Sequence, residues 1–273
     1  MAQTNNKENI LNPLELSIQI SLNGLSFCIL HRDKNTITFL KHIVFEKKGI
    51  PSDILDALKH SFNSEKELQN DFSKVTVIHE NELSTLVPKA LFNEDNIADY
   101  LKFNSKILKS DFITFDNIEL NDSVVVYVPY VNVNNYVFDM FGDFTYKHKS
   151  TVLIEQSLLL ERNSESKKMV VHVSKNHFEL LVVNNGKLEL FNTFEYFSKE
   201  DFIYFILFTA EQLSLNPEVF ELVFYGDVEK NDELYDITYK YIRNVSFGNR
   251  FDKYNFNVSP KTSYSDFALI KNF

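Results

Sequence analysis

Hydrophobic and polar residues alternate along the first eighty positions in a pattern that predicts three strands, a helix and a fourth strand. Residues 16–20 alternate apolar with polar side chains, and a period of two is typical of a strand that is buried on one face. Asn23 and Gly24 follow as a strong hairpin signal, because both central positions of a type I′ turn require positive φ. Two more strands, a helix that begins at Pro51 and a strand at 75–78 complete this part.

The same order recurs in the second half of the chain. The polar segment 163–168 predicts a boundary, and residues 169–194 indicate three strands separated by short turns. Ser198 and Asp201 resemble a capping box at the start of a helix, and residues 219–225 indicate the fourth strand. The repeat predicts a duplicated two-lobe α/β fold, in which each half is a mixed sheet with a three-strand antiparallel start and flanking helices. The predicted divisions are a flexible N-terminus at 1–13, an N-terminal lobe at 14–163 with an insertion around 80–120, and a C-terminal lobe at 164–273.

Three further segments lead to expectations about burial. The β-branched run at 124–128 predicts a strand that is buried on both faces. The helix body at 202–213 is apolar almost all round, which predicts a central buried helix. For the last segment, 241–273, two alternatives stay open: it wraps back onto the fold, or it is partly mobile.

The charge balance argues against two classes of partner. The chain has 28 Lys and Arg residues against 38 Asp and Glu residues, and its net charge is −10. Because proteins neutralise phosphate backbones with basic residues, we expect no nucleic-acid partner, and the same sign disfavours anionic membrane surfaces. The longest apolar stretch, 202–210, is much shorter than the roughly 20 residues of a membrane-spanning helix, so we expect no membrane insertion.

The single cysteine and the first residues predict a cytoplasmic protein. Cys28 has no second cysteine to pair with, which fits a reducing compartment. Its apolar neighbours favour a small buried strand residue over a nucleophile. Residues 1–9 contain no apolar signal core, so we expect no export.

Three turns at the ends of predicted strands carry the candidate site residues. Gly226 and Asp227 follow the carboxyl end of a predicted strand, where open α/β sheets usually bind ligands. Glycine, which lets a backbone approach a phosphate closely, is scarce here, with six in 273 residues against a typical share of about 7%. The turns contain Gln19, Ser21, Asn23 and Gly24, then His172, Ser174, Lys175 and Asn176, and last Gly226 and Asp227; the resemblance given next is what makes these ten the candidate positions, as those of a degenerate nucleotide cleft.

The element order, with a turn of this kind between the first two strands of each half, resembles the actin-like ATPase superfamily, which includes actin, sugar kinases and heat-shock chaperones. It is most similar to divergent bacterial members, including a family of unknown function and the cytoplasmic actin-like components of pilus and type II secretion assembly. The resemblance covers nearly the whole chain and rests on element order. It implies a phosphate loop in each half, which follows a magnesium-positioning Asp and carries small residues, and a Gly-Gly turn against which adenosine packs.

The chain departs from the superfamily pattern at all three places. Gln19 and His172 stand at the two Asp positions, Ser21 and Leu22 at the small pair, and Tyr225 replaces one glycine of the Gly-Gly turn. A metal-bound phosphate needs a carboxylate and free backbone N–H groups nearby. The resemblance therefore implies lost magnesium–ATP chemistry, with no cofactor and no catalytic residue. It predicts an inactive scaffold or protein-binding module whose protein partner and oligomeric state are open.

An active ATPase or small-molecule kinase with atypical phosphate loops is the alternative hypothesis. There, Lys175 and the N–H groups of residues 174–176 hold a phosphate, and Asp227 holds a metal. The sequence contains no G-x-S-x-G, G-x-G-x-x-G or P-loop pattern that would point to another enzyme class.

A zinc site at the second turn is a weaker hypothesis. His172 and His177 flank this turn and could face each other across the hairpin. A zinc site needs a third and a fourth ligand, and no Cys or acidic neighbour stands out at ligand spacing, so the sequence predicts no metal.

The chain is rich in aromatic residues, with 26 Phe and 13 Tyr. Two clusters are interpreted either as core or as a surface for a partner, because exposed aromatic residues are typical interface anchors. The clusters are Tyr127, Tyr130, Tyr136 and Phe138, and Phe191, Phe194, Tyr196 and Phe197.

Overall fold

A computed structural model describes residues 13–103 and 106–273. The strands within these residues are β1 (Leu14–Ser21), β2 (Gly24–His31), β3 (Thr36–Val44), β4 (Lys74–His79), β5 (Ser84–Pro88), β6 (Thr114–Ile118), β7 (Ser123–Tyr127), β8 (Thr145–His148), β9 (Lys168–Val173), β10 (His177–Asn184), β11 (Lys187–Glu195), β12 (Glu221–Gly226), β13 (Asn244–Phe247) and β14 (Asn255–Phe256). The helices are α1 (Pro51–Ser64), α2 (Ile97–Lys102), α3 (Val131–Phe141), α4 (Lys149–Glu161), α5 (Lys199–Gln212), α6 (Glu233–Tyr241) and α7 (Phe267–Lys271).

Two sheets repeat one strand order, and each sheet defines a lobe. In the first lobe the order is β3-β2-β1-β4-β8, with antiparallel pairing from β1 to β3 and parallel pairing from β1 to β8. In the second lobe the order β11-β10-β9-β12-β13 has the same directions. The duplicated α/β architecture is therefore confirmed, whereas the placing of the boundary at residues 163/164 stays a prediction.

The alternation at the start of the chain places β1 between two layers. Leu16, Ile18 and Ile20 are fully buried in a core that α1 and α3 complete. Ser17, on the other face of the strand, is also fully buried, because α7 packs against β1 and β2 there. The first sheet is thus covered on both faces, more than the period of two by itself predicts.

A separate three-stranded sheet, in the order β5-β7-β6, lies between β4 and α3 along the chain. All five residues of β7 are buried, which confirms the prediction from the β-branched run. One face of this sheet packs with Leu101 of α2, and Val125 and Tyr127 on the other face contact the core around α4. The central strand of the insertion is therefore held from both sides.

The prediction that α5 is buried all round is wrong. Its first turn has the predicted capping box between Ser198 and Asp201, and Phe202 is fully buried against the second sheet. Tyr204 and Phe208, however, are 59% and 44% exposed and stack on each other with ring centroids 5.9 Å apart. The helix covers only one face of its sheet, so hydrophobicity on its outer face does not produce burial.

The C-terminal segment wraps back onto the first lobe, which decides between the two open alternatives. β14 pairs in parallel with β3, and α7 buries Leu269 and Ile270 against Cys28. Burial raises the pKa of the Cys28 thiol far above its ordinary value, which fits a core residue and not a nucleophile.

Two further sequence predictions concern the N-terminus of the chain and membrane-spanning helices. The N-terminus predicted to be flexible, 1–13, lies outside the described residues except for Pro13. Among the described residues, every helix is too short or too polar to cross a bilayer.

Candidate functional site between the lobes

A cavity of about 920 Å³ separates the two lobes at the carboxyl ends of β1, β4, β9 and β12. This edge is where α/β sheets bind ligands. The cavity gathers nine of the ten candidate positions: Gln19, Ser21, Asn23, Gly24, His172, Ser174, Lys175, Gly226 and Asp227. The tenth, Asn176, lines a smaller adjoining pocket together with Asn23.

The two hairpin turns that predicted the site contact each other directly. Asn23 Nδ2 donates a hydrogen bond of 3.0 Å to Asn176 Oδ1 across the cleft. Backbone N–H groups in both turns are already engaged, since the Asn23 N–H binds Ser21 Oγ and the Ser174 N–H binds the His177 carbonyl. Tyr196 Oη also stabilises the second turn, because it donates a hydrogen bond of 2.8 Å to the Ser174 carbonyl. These particular polar groups of the two turns are therefore bonded within the protein itself.

Beneath the turns, a buried lysine joins both lobes. Lys149, the first residue of α4, donates from Nζ to Glu80 Oε1 at 2.6 Å and to Ser174 Oγ at 2.9 Å. Its Nζ also lies 3.0 Å from Glu179 Oε1. An ammonium has three N–H donors, and these three acceptors match them one to one. Glu80 follows β4 of the first lobe, whereas Ser174 and Glu179 belong to the second.

A histidine completes this group, which we name the buried quartet: Glu80, Lys149, His177 and Glu179. His177 Nε2 lies 3.1 Å from Glu80 Oε1 and 3.6 Å from Glu179 Oε1. Gln19, at the first candidate Asp position, donates to Glu80 Oε2 at 2.8 Å. The side chains of Glu80, Lys149 and Glu179 are only 10%, 8% and 4% exposed, so each charge is stabilised by its partners and not by solvation.

The pKa values of the quartet favour the fully charged state. Burial lowers the pKa of Lys149, but the carboxylates of Glu179 and Glu80 outweigh it and hold the pKa above its usual value. For His177, too, burial lowers the pKa, and hydrogen bonds to Glu179 and Glu80 raise it overall to about 9. Burial raises the pKa of Glu179, yet Lys149 and His177 bring it down to about 2, and Glu80 also lies well below its usual pKa. Two positive and two negative charges therefore balance at neutral pH.

Aromatic rings fill the part of the site around the second candidate Asp position. His172 stacks on Tyr225, with ring centroids 4.9 Å apart, and lies edge-on to Phe267 of α7 at 4.7 Å. Burial lowers the pKa of His172 to about 3, so the ring is neutral. The residues at two departures from the superfamily pattern thus pack together against the returning C-terminal helix.

Gly226 has a structural role that explains its presence. Its φ is +86°, and a Cβ there would come within 2.2 Å of the Val173 carbonyl oxygen. Its N–H donates to the Tyr264 carbonyl, and the Asp227 N–H donates to the Val173 carbonyl. The Asp227 side chain is exposed at the cavity, and partial desolvation raises the pKa of its carboxyl. The glycine therefore allows β9 and β12 to approach, whatever the cavity binds.

Sequence reasoning missed the quartet and misjudged the histidine pair. The register places Glu179, not His177, opposite His172, so the expected face-to-face histidines do not form. The missed signal was His177-x-Glu179, because residues two apart in a strand point to the same face. Glu80 and Lys149 lie 69 positions apart, and their contact follows from the parallel pairing of β4 with β8, which sets His79 beside His148.

The aromatic clusters divide between the two interpretations. Tyr127 is fully buried and Tyr130 is 9% exposed, which makes them core residues. Phe138 and Phe197 are 57% and 91% exposed. Only part of each cluster therefore lies at the surface.

Comparison with solved structures defines the class of protein. A protein from Bacteroides thetaiotaomicron with an actin-like ATPase fold and unknown function is 23% identical with a TM-score of 0.73, over 87% of this chain and 91% of that one. The PilM–PilN type IV pilus biogenesis complex contains a chain that is 10% identical with a TM-score of 0.60, over 94% of this chain and 97% of that one. The chain thus has the two-lobe actin-like ATPase fold that its element order predicted.

The family model described as "Protein of unknown function (DUF3822)" matches residues 3–245, and the chain belongs to this family. Among curated proteins none matches the sequence.

Proposed function

We propose that the protein is a catalytically inactive actin-like scaffold that acts in the cytoplasm and binds a protein partner, with no nucleic-acid partner and no insertion into a membrane. The observation that carries this proposal is the position of the Lys149 ammonium. It lies within 3.0 Å of carboxylates from both lobes, at the floor of the cleft in which the superfamily holds its nucleotide. Ion pairs within the chain therefore link the two lobes at the floor of the cleft.

The residues of the cleft fit magnesium and triphosphate poorly. The carboxylates of Glu80 and Glu179 are already paired with Lys149 and His177, so neither is free to hold a magnesium ion. The N–H of Ser174, which the alternative hypothesis assigns to a phosphate, is donated to the His177 carbonyl. These contacts support a fold retained for its shape and not for nucleotide chemistry.

A protein partner is the occupant that the comparison favours. The second structural neighbour is part of a complex between PilM and PilN. A shared fold is weak evidence for a shared function. The comparison therefore supports only a general kind of role, in which a protein of this fold binds another protein. The exposed Tyr204, Phe208 and Phe197 supply aromatic surface of the type found at interfaces.

The test of inactivity is a thermal titration with magnesium and ATP. A ligand that binds the native state at a hundredfold excess over its Kd stabilises by about 2.7 kcal/mol, so binding would raise Tm measurably. We expect no rise at millimolar nucleotide. A rise that Asp227→Ala or Lys175→Ala abolishes, while Lys187→Ala, outside the cavity, preserves it, would refute the proposal.

One observation favours the alternative of a nucleotide-binding enzyme. The cavity of about 920 Å³ has room for a nucleotide, and the exposed side chains of Lys175 and Asp227 reach it. In this alternative the ligand binds above the quartet without displacing Lys149. The same titration decides between the two functions, because only the alternative expects a shift that depends on Lys175.

A further inference from the structure

The Lys149 ammonium is surrounded as a bound cation would be. Glu80 Oε1, Ser174 Oγ and Glu179 Oε1 lie 2.6, 2.9 and 3.0 Å from Nζ. His177 Nε2 faces the same two carboxylate oxygens, at 3.1 and 3.6 Å. The two carboxylates therefore face both the ammonium and the imidazole.

The spacing of these ligand atoms is that of a tetrahedral metal site. Zinc binds nitrogen and oxygen ligands at about 2.0–2.2 Å in a tetrahedron, which places neighbouring ligands roughly 3.3–3.5 Å apart. One ligand atom each from Glu80, His177 and Glu179 lies within 4.8 Å of the others, and the two distances from His177 bracket the tetrahedral value. Ser174 Oγ, 3.3 Å from Glu80 Oε1, marks a fourth position.

A second observation points to the same conclusion. Glu179 Oε2 is buried and has no hydrogen-bond partner among the described residues, although its carboxylate is only 4% exposed. Buried carboxylate oxygens are normally satisfied, and an oxygen without a partner needs an explanation. The Lys149 ammonium leaves Glu179 Oε2 without a partner, whereas a metal ion could be coordinated by both oxygens of the carboxylate.

We propose that Glu80, His177 and Glu179 form a divalent-cation site of the zinc class, whose cation position the chain fills with the ammonium of Lys149. The lysine acts as a built-in occupant, which balances the charge and excludes metal. Shortening Lys149 removes the occupant and opens the site to zinc. This inference is independent of the proposed function, because it concerns metal alone and not nucleotide.

The test compares zinc binding by calorimetry in the wild-type chain and in Lys149→Ala. We expect Lys149→Ala to gain one zinc site, with an affinity at least about 100-fold above any binding by the wild type, the scale on which changes around a metal site act. Lys147→Ala, two residues away and outside the quartet, is the matched control and should bind as the wild type does. Adding Glu179→Gln to Lys149→Ala should weaken the new site at least tenfold. Equal zinc affinity in Lys149→Ala and the wild type would overturn the proposal.

Lys149→Ala leaves two buried carboxylates with one histidine and could fail to fold without metal. In that case zinc added during refolding should restore the circular dichroism of the native chain. The variant Lys149→Met/Glu179→Gln leaves Glu80 paired with His177 and needs no metal to balance its charges, so it should fold without zinc and bind none. If zinc does not restore the first variant, or if the second needs zinc or does not fold, the site does not act as a cation site and the proposal fails.

Discussion

Replacing Lys149 with methionine removes one charge from the buried quartet and keeps the volume of the side chain. The carboxylates of Glu80 and Glu179, 10% and 4% exposed, then face each other with only His177 as a positive partner. Breaking a buried ion pair by removing one partner costs about 3–5 kcal/mol, because an uncompensated charge stays behind. For a chain of this size, each kcal/mol lowers Tm by about 2–4 °C, so we expect a decrease of roughly 6–20 °C.

The assay is urea unfolding followed by circular dichroism, in parallel with thermal melting. Lys147→Met is the matched control, because Lys147 forms a half-exposed ion pair with Glu155 that should contribute at most about 1 kcal/mol. Lys149→Met/Glu179→Gln restores the charge balance, so it should be more stable than Lys149→Met. The reasoning is refuted if Lys149→Met loses no more stability than Lys147→Met, or if the second substitution lowers stability further.

Three other predictions concern pH, backbone and packing. Burial holds three histidines neutral by lowering the pKa to about 3 in His79, about 4 in His148 and about 3 in His172. Because these three histidines take up protons below about pH 6.5 only when the chain is unfolded, the free energy of unfolding falls as the pH falls. His177 acts in the opposite direction: its pKa is raised to about 9, so the stability that it contributes is lost as the pH rises from about 6.5 through 9. Each histidine changes the free energy of unfolding by at most about 1.4 kcal/mol per pH unit. Urea midpoints from pH 4 to 10 should therefore peak near neutrality, and a flat profile would contradict these assignments. Gly226→Ala should lower Tm more than Gly142→Ala, because both have positive φ but only the first Cβ meets backbone, at 2.2 Å; equal losses would count against the close approach. Phe267→Ala should cost about 3–5 kcal/mol in urea, since the ring packs against His172 and Tyr225, and a loss under 1 kcal/mol would show that α7 is not part of the core.

The duplicated fold was predictable because its signals are local. A hairpin joins β1 to β2 as expected, and the Ser198–Asp201 capping box begins α5. The predicted turn residues were wrong, however: Leu22 and Asn23 form the turn, Asn23 does not have the positive φ of a type I′ turn, and Gly24 already pairs with Ser21 in the ladder. These features need no knowledge of distant residues, since a turn type or a cap is decided within a few positions. The exposure of Tyr204 could not be predicted in this way, because hydrophobicity does not say which face of a helix another element covers.

The candidate site was predictable only as a location. The superfamily resemblance marked one turn region in the first half and two in the second, and nine of the ten residues named from it line the cavity. The charges at its floor escaped notice, because Glu80 and Lys149 meet only when β4 pairs with β8, and Glu179 joins them only when the second lobe is in place. His177 and Glu179, two apart on β10, were the one part of the quartet that a period-two pattern could have revealed.

The path of the chain, from the first lobe to the second and back through β14 and α7, makes the two halves interdependent. Leu269 and Ile270, contributed after the second lobe is complete, finish the core around Cys28 at the beginning of the chain. A cut at residues 163–168 would consequently leave the N-terminal fragment without part of its own interior. The molecule should melt in a single cooperative transition, and its two halves, although they share one strand order, should not fold as separate fragments.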